Sequence, residues 1–297
     1  MTPRASVWRS IIGVCLLAAT VIVCAALAAN LANGAEDGET APSKDNNRPD
    51  RRLKIMREAI DGFRITSTQI DSDRAPKFSP RPLLRYNDGT RGFKGLLDAT
   101  AWRLGESGRP KAIVTLEIYP VDRDKTILQY EFVSLTSDKF ELQSPRGIRW
   151  LPGGAEFSLA EFEEAAQPGA TLRARLLQMR ELARRFAAQE ILPSGERIEL
   201  RLLSQPIDRY GDLAADILDG AVFVFANGTN PEVGLLLECS EKQWSYGLFR
   251  LSAAKLLAQL DARSILESAT PASRTAKDPY AATAVAIALP EEDDVEE

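Results

Sequence analysis

The sequence predicts an α+β protein: two tandem copies of a helix plus antiparallel-sheet unit, preceded by an N-terminal signal or anchor helix. Three observations lead there. A colinear set of residue matches runs through both halves of the chain. Each half opens on residues with helical spacing and continues in short stretches of strand character. Those stretches are joined by turns too short for crossovers, so neighbouring strands must be antiparallel.

The matches are specific. Met56-Arg57-Glu58 with Phe63 corresponds to Met179-Arg180-Glu181 with Phe186, and Pro82-x-x-Arg85-Tyr86 corresponds to Pro206-x-x-Arg209-Tyr210. Asp98, Pro110 and Glu117 correspond to Asp219, Pro231 and Glu238, with spacings of 12 and 7 in both halves. Tyr130, Leu135 and Lys139 correspond to Tyr246, Leu251 and Lys255 at equal spacings. A shared order of weak matches over this distance is the signature of an internal repeat.

Taken from the N-terminus, Arg4 and Arg9 precede an uncharged apolar run at 11–29. A basic start before an apolar core is the layout of a secretory signal, and Ala26-Leu27-Ala28 offers a cleavage site. The run also has the length of a bilayer-spanning helix, so residues 1–29 read as a signal peptide or a membrane anchor. Residues 30–49, polar and rich in Gly, Asp and Asn, read as a flexible linker. Repeat 1 then covers 50–142, a linker with a short helix covers 143–170, repeat 2 covers 171–264, and 265–297 reads as a disordered acidic tail.

Within the repeats, Leu172, Leu176, Met179, Ala183 and Phe186 recur at three- and four-residue steps and predict a helix face. Residues 197–202 alternate as a strand, with only the short 63–66 to match them. The Pro-x-x-Arg-Tyr segment follows, and then a hairpin: 221–225 and 232–238 around Asn227-Gly228, and 98–104 and 111–118 in the first half. Third strands are expected at 126–135 and 244–251. Thr136 and Ser252 are placed to cap closing helices at 137–142 and 253–260. In the linker, Ser158-Leu159-Ala160-Glu161 fits a capping box, and 148–151 offers an edge strand. Because 221–225 is apolar on both sides, its second face needs cover, which the other copy could supply.

Composition narrows the chemistry. The chain has 297 residues, 44% hydrophobic and 27% charged, and no histidine. That removes Ser-His-Asp and Cys-His catalysis and His-ligated metals. Cys15 and Cys24 lie in the apolar run, leaving Cys239 alone in the rest of the chain, where it reads as a buried strand residue. The net charge of −5 is local: residues 291–297 carry six acids, and the remainder nets near +1. No broad basic face is implied, so nucleic acid is not an expected partner. Nucleotide-binding glycine loops and calcium-loop spacing are missing, so no cofactor and no metal are expected. Asn227-Gly228-Thr229 matches a glycosylation acceptor, but a hairpin turn explains it better.

The candidate ligand-binding residues are Arg85, Tyr86, Asp98, Arg209, Tyr210 and Asp219. An arginine beside a tyrosine can clamp an anionic or sugar ligand. Equally, each arginine can pair with an acid of its own unit, Asp88 or Asp98 in one and Asp212 or Asp219 in the other. Their occurrence in both halves favours that folding role. Asp98 with Glu117, and Asp219 with Glu238, are candidate carboxylate pairs of the glycosidase kind. No residue is assigned as catalytic.

The Pro-x-x-Arg-Tyr segment, Leu218-Asp219-Gly220-Ala221-Val222-Phe223, Gly228-Thr229-Asn230-Pro231-Glu232, Leu235-Leu236-Leu237-Glu238 and Trp244-x-Tyr246 resemble an uncharacterised family of exported planctomycete proteins. The resemblance covers 80–260 and is strongest in the second half. It implies export and a two-part layout, and carries over no catalytic residue. The reading favoured is therefore a non-catalytic binding or scaffold protein of the cell envelope. It would lie in the periplasm or outside the cell, or be tethered to the inner membrane by 11–29. Its partner would be an envelope component or a polysaccharide. The rival is a carboxylate-based hydrolase acting on glycans.

Overall fold

The structure, a computed structural model, describes residues 48–67, 75–88, 95–122, 125–271 and 275–289. The apolar run at 11–29, the linker at 30–47 and the acids at 291–297 lie outside the described residues. Among those described, the chain is mostly β-sheet with two α-helices, and no helix is long and apolar enough to cross a membrane.

The first half begins with α1 (Arg48–Asp61), which buries Met56 and Ile60 and ends at Gly62, whose N–H returns to the Glu58 carbonyl. The strands β1 (Arg64–Ser67), β2 (Leu84–Tyr86), β3 (Asp98–Leu104), β4 (Ala112–Pro120), β5 (Thr126–Ser134), β6 (Phe140–Gln143) and β7 (Arg149–Trp150) follow. The short β8 (Ala160–Glu161) leads to α2 (Leu172–Ala183). Next come β9 (Phe186–Ile191), β10 (Arg197–Leu202), β11 (Asp208–Asp212), β12 (Ile217–Asn227), β13 (Asn230–Cys239), β14 (Trp244–Arg250), β15 (Lys255–Leu260), β16 (Arg263–Ser268) and β17 (Tyr280–Ile287).

Two antiparallel sheets form the centre. One has the order β17-β5-β4-β3-β2; in the other, β8-β14-β13-β12 is continued by β11 on one stretch of β12 and by β10 on another. Small outer ladders flank them: β1-β6-β7 in the first half, and β9-β15-β16 in the second, the latter joined to the main sheet through β10.

Side-chain alternation gives each central sheet two buried faces, forming three apolar layers. Trp102, Val114, Leu116, Tyr130 and Phe132 pack under Met56 and Ile60 of α1. Phe223, Phe225, Leu235 and Leu237 pack under Met179 and Ala183 of α2. Between the sheets, Ala101, Ile113 and Val133 of the first meet Val222, Val224, Leu236 and Phe249 of the second. The second face of 221–225 is thus covered by the other half, as its two-sided apolar character requires.

Several expectations need correction. Residues 253–260 and 137–142 are not closing helices; they contain β15 and β6, which pair with β9 and β1. Leu256, Ala258 and Leu260 alternate inward, and an available sheet edge outweighs the helix propensity of this Ala/Leu-rich stretch. Thr136 and Ser252 do accept backbone N–H groups, from Asp138 and Ala254, but in turns leading to strands. The linker helix is absent: Ala160 and Glu161 pair with β14, whose edge is otherwise open. The region 265–297 is no simple tail, since β17 runs the length of β5 and buries Tyr280 and Ala281. In α2 the buried stripe is Arg175, Met179, Leu182 and Ala183, with Leu172 exposed and Phe186 already in β9. Following its helix directly, β9 takes the position that β1 holds in the first half. The strand at 197–202, β10, pairs with β9 and β12, and no strand of the first half among the described residues holds a like position.

Candidate functional site

The six candidate residues fall into two clusters of like geometry. In β2, Arg85 stands opposite Thr100 of β3, which directs its guanidinium along the α1 side to Asp98. Arg85 donates from Nε to Asp98 Oδ1 at 2.9 Å and from Nη2 to Oδ2 at 2.6 Å. In β11, Arg209 donates from Nε to Asp219 Oδ1 at 3.0 Å and from Nη2 to Oδ2 at 2.6 Å. Both are bidentate forks, the strongest geometry an arginine and a carboxylate make. In each pair the hydrogen bonds to the aspartate raise the arginine's pKa above its ordinary value.

The helices supply a second arginine to each site. Arg175 of α2 donates to Asp219 Oδ2 at 2.9 Å and to the Gly169 carbonyl. Arg52 of α1 stands four residues before Met56, as Arg175 does before Met179, and donates to the Leu97 carbonyl beside Asp98. Neither arginine was among the sequence candidates; that shared spacing to the methionine was the available signal.

Tyr86 and Tyr210 follow their arginines and so point to the opposite sheet face, into the layer between the sheets. Tyr86 donates to Glu117 Oε1 at 2.9 Å, and Tyr210 to Glu238 Oε1 at 2.8 Å. Burial pushes both phenols well above their ordinary pKa, with the adjacent carboxylate adding to the shift. Gly220 makes the second pair possible: a Cβ there would lie 2.5 Å from the Tyr210 ring and 3.1 Å from Glu238 Cγ.

The two glutamates differ in their remaining partners. Glu238 receives Arg109 from the β3–β4 loop of the first half, Nε to Oε1 at 2.7 Å and Nη2 to Oε2 at 2.6 Å. Glu117 receives neutral donors: Tyr86, Tyr119 at 3.0 Å and Gln129 at 3.2 Å. Its pKa is raised by burial, against the opposing effect of the tyrosine hydrogen bonds. Gln129 also bridges to Glu131 at 2.9 Å. A further ion pair, Arg103 to Asp208 at 2.7 Å, links β3 to β11 across the halves; burial still raises the Asp208 pKa, with Arg103 opposing.

The proposed carboxylate pairs do not converge. Asp98 stands opposite Ile118 and Glu117 opposite Ala99. In a pleated hairpin, adjacent positions face opposite sides, so Asp98 lies on the α1 side and Glu117 between the sheets. The same holds for Asp219, opposite Cys239, and Glu238, opposite Gly220. A glycosidase needs both carboxylates on one cleft. A depression of about 250 Å³ lies between β7 and β17, lined by Phe132, Arg149, Trp150 and Thr283 among others, with none of these acids on it.

Among the described residues no group of acids and cysteine is placed to hold a metal ion. Cys239 is buried, and burial pushes its thiol up to about 11, so it packs as a small apolar residue. Asn227 donates to Glu190 from the end of β12, occupied in the hairpin as the turn reading expects. In comparisons with known proteins, no family model matches this chain, and neither a curated protein nor a solved structure matches it.

Proposed function

We propose that this chain is a non-catalytic binding or scaffold protein of the cell envelope, built from two copies of one helix-plus-sheet unit. The observation that carries the reading is the fate of the charged residues. In both halves the distinctive aspartate is closed by a bidentate arginine, and the distinctive glutamate by a tyrosine on the other sheet face. Groups held in the same internal geometry twice serve the architecture. Further support for copying comes from the matching strand orders β5-β4-β3-β2 and β14-β13-β12-β11. The N–H of Leu135 returns to the Lys111 carbonyl just as that of Leu251 returns to Glu232.

Export rests on Arg4, Arg9 and the apolar run at 11–29, and on the resemblance to exported planctomycete proteins. The envelope partner would be a polysaccharide or another envelope component, held on a surface and not in a cleft.

The test is to incubate the purified chain with isolated envelope polysaccharide and measure co-sedimentation and release of reducing ends together. Retention without release is expected. Release that disappears in a folded Glu117→Gln or Glu238→Gln variant would replace this reading with the hydrolase. For export, the mass of the mature N-terminus in cells separates a cleaved signal from a retained anchor.

A further inference from the structure

We propose that the outer face of α2 docks on an anionic lipid surface, with Arg173, Arg180 and Arg184 at the headgroups and Leu177 at the acyl chains. Spacing makes the face. Residues 173, 177, 180 and 184 follow one another at steps of four, three and four, so they form one stripe along the helix. The buried residues Arg175, Met179 and Leu182 stand two positions after the first three, roughly 200° around the helix. The stripe therefore points away from the sheet that α2 covers. It runs about 16 Å along the helix axis.

The side chains on it are unused by the fold. Among the described residues five large apolar side chains are exposed, and two of them are on this helix: Leu172 at 60% and Leu177 at 55%. Arg173 and Arg184 have no acidic partner among the described residues, whereas the adjacent Arg175 and Arg185 are closed by Asp219 and Asp261. Arg180 donates to Gln205, a neutral acceptor, so its charge is uncompensated as well. Glu181 is the one acid on this side of α2, and three arginines against one glutamate leave the face positive.

The first helix shows that the fold does not require this charge. With Met56 set against Met179, the positions of Arg173 and Arg184 are held in α1 by Asp50 and Asp61, and that of Leu177 by Lys54. There Lys54 is closed by Glu58 at 3.9 Å and Arg57 by Asp61 at 3.1 Å. At both aspartate positions α2 has arginine, with leucine in place of the lysine.

Charge complementarity calls for an anionic occupant, and the leucines select a bilayer. A soluble polyanion offers nothing apolar to Leu177. A cationic helix face with an apolar residue at its centre suits the boundary between headgroups and acyl chains, and arginine stems can lie along that boundary while their guanidiniums hold phosphates. This surface is separate from the polysaccharide partner proposed above, so either can fail without the other.

The test uses the full chain with vesicles brominated in their acyl chains, of phosphatidylglycerol or of phosphatidylcholine. Leu177→Trp puts a reporter on the stripe, read as the emission of the variant minus that of wild type. It should be quenched on phosphatidylglycerol and not on phosphatidylcholine, and added salt should weaken the quenching. Adding Arg173→Gln and Arg184→Gln should lower the ratio of quenched to unquenched reporter about 25-fold, at about fivefold for each arginine beside an anionic surface. Circular dichroism should stay unchanged, since all three side chains are exposed. No quenching, equal quenching on both lipids, or quenching indifferent to the arginine changes overturns the proposal. Retention on heparin that needs Arg173 and Arg184, with no quenching on vesicles, does so too, since the stripe would then be a polyanion site.

Discussion

Asp219 is 2% exposed and takes Arg175 and Arg209 together, whereas Asp98 has the one bidentate arginine, Arg85, itself 31% exposed. Removing one partner of a buried ion pair leaves an uncompensated charge, at a cost of about 3–5 kcal/mol. Asp219→Ala strands two guanidiniums, one of them buried, so urea unfolding should show a loss in that range. Asp98→Ala should cost visibly less, because water can reach Arg85. Equal losses would mean that Arg175 contributes nothing to the site. Glu117 gives a prediction of opposite sign to the usual carboxylate. Burial raises its folded pKa above its unfolded value, so the folded state holds the proton more tightly. This contribution is present at low pH and is lost as pH rises from the ordinary glutamate range, about 4.3, through the folded pKa. Glu117→Gln removes that titration while keeping an acceptor for Tyr86. The variant's stability relative to wild type should therefore improve between pH 4.5 and pH 8, read as the shift in urea midpoint; a constant difference would show that Glu117 does not titrate in this window.

At the scale of elements, what the sequence reveals depends on whether the signal is local. The β12–β13 hairpin was legible because Asn227-Gly228 marks the turn and the flanking residues are apolar. That Arg85 and Arg209 could each pair with an acid of their own unit was legible because the acids lie within one hairpin's reach, but the choice of Asp98 over Asp88 and of Asp219 over Asp212 was not. β6, β15 and β17 were not, because each takes its structure from a strand far off in sequence: β1, β9 and β5. Short Ala/Leu stretches carry no record of such an edge, and read alone they look like helix or tail. Arg103 to Asp208 and Arg109 to Glu238 were illegible for the same reason, being contacts between halves. Glycine shows a further limit. Gly234 pairs with Phe249 across β13 and β14, and the Phe249 ring lies where its side chain would be, 2.2 Å from a built Cβ. Gly234→Ala should force that ring out of the layer between the sheets, costing about 1–3 kcal/mol as an overpacking change. The double variant Gly234→Ala with Phe249→Leu should recover part of the loss; no recovery would place the strain elsewhere.

For the whole molecule, the return of β17 to the first sheet decides how the halves unfold. After β16 closes the second half, the chain crosses back. Leu151 and Gly153 donate their N–H groups to the Ala276 and Lys277 carbonyls, and Trp150 Nε1 donates to the Asp278 carbonyl at 2.9 Å. Tyr280 then enters the layer between the sheets, with the Arg250 guanidinium 5.2 Å from its ring centroid. The second half therefore sits between two segments of one sheet and shares an apolar layer with it. Neither half can shed the other without exposing Val222, Val224, Leu236 and Phe249, residues that are at most 1% exposed. At about 1.5–3 kcal/mol for each large apolar side chain returned to water, separation costs an amount comparable with a domain's usual net stability of about 5–15 kcal/mol. Ending the chain after Ser268 should consequently lower the stability of both halves together. Hydrogen exchange of β4, in the first sheet, and of β13, in the second, should accelerate by the same factor, and urea unfolding should remain one transition at a lower midpoint. If β13 kept its protection while β4 lost it, the halves would be separate folding units and the shared layer a mere contact between them.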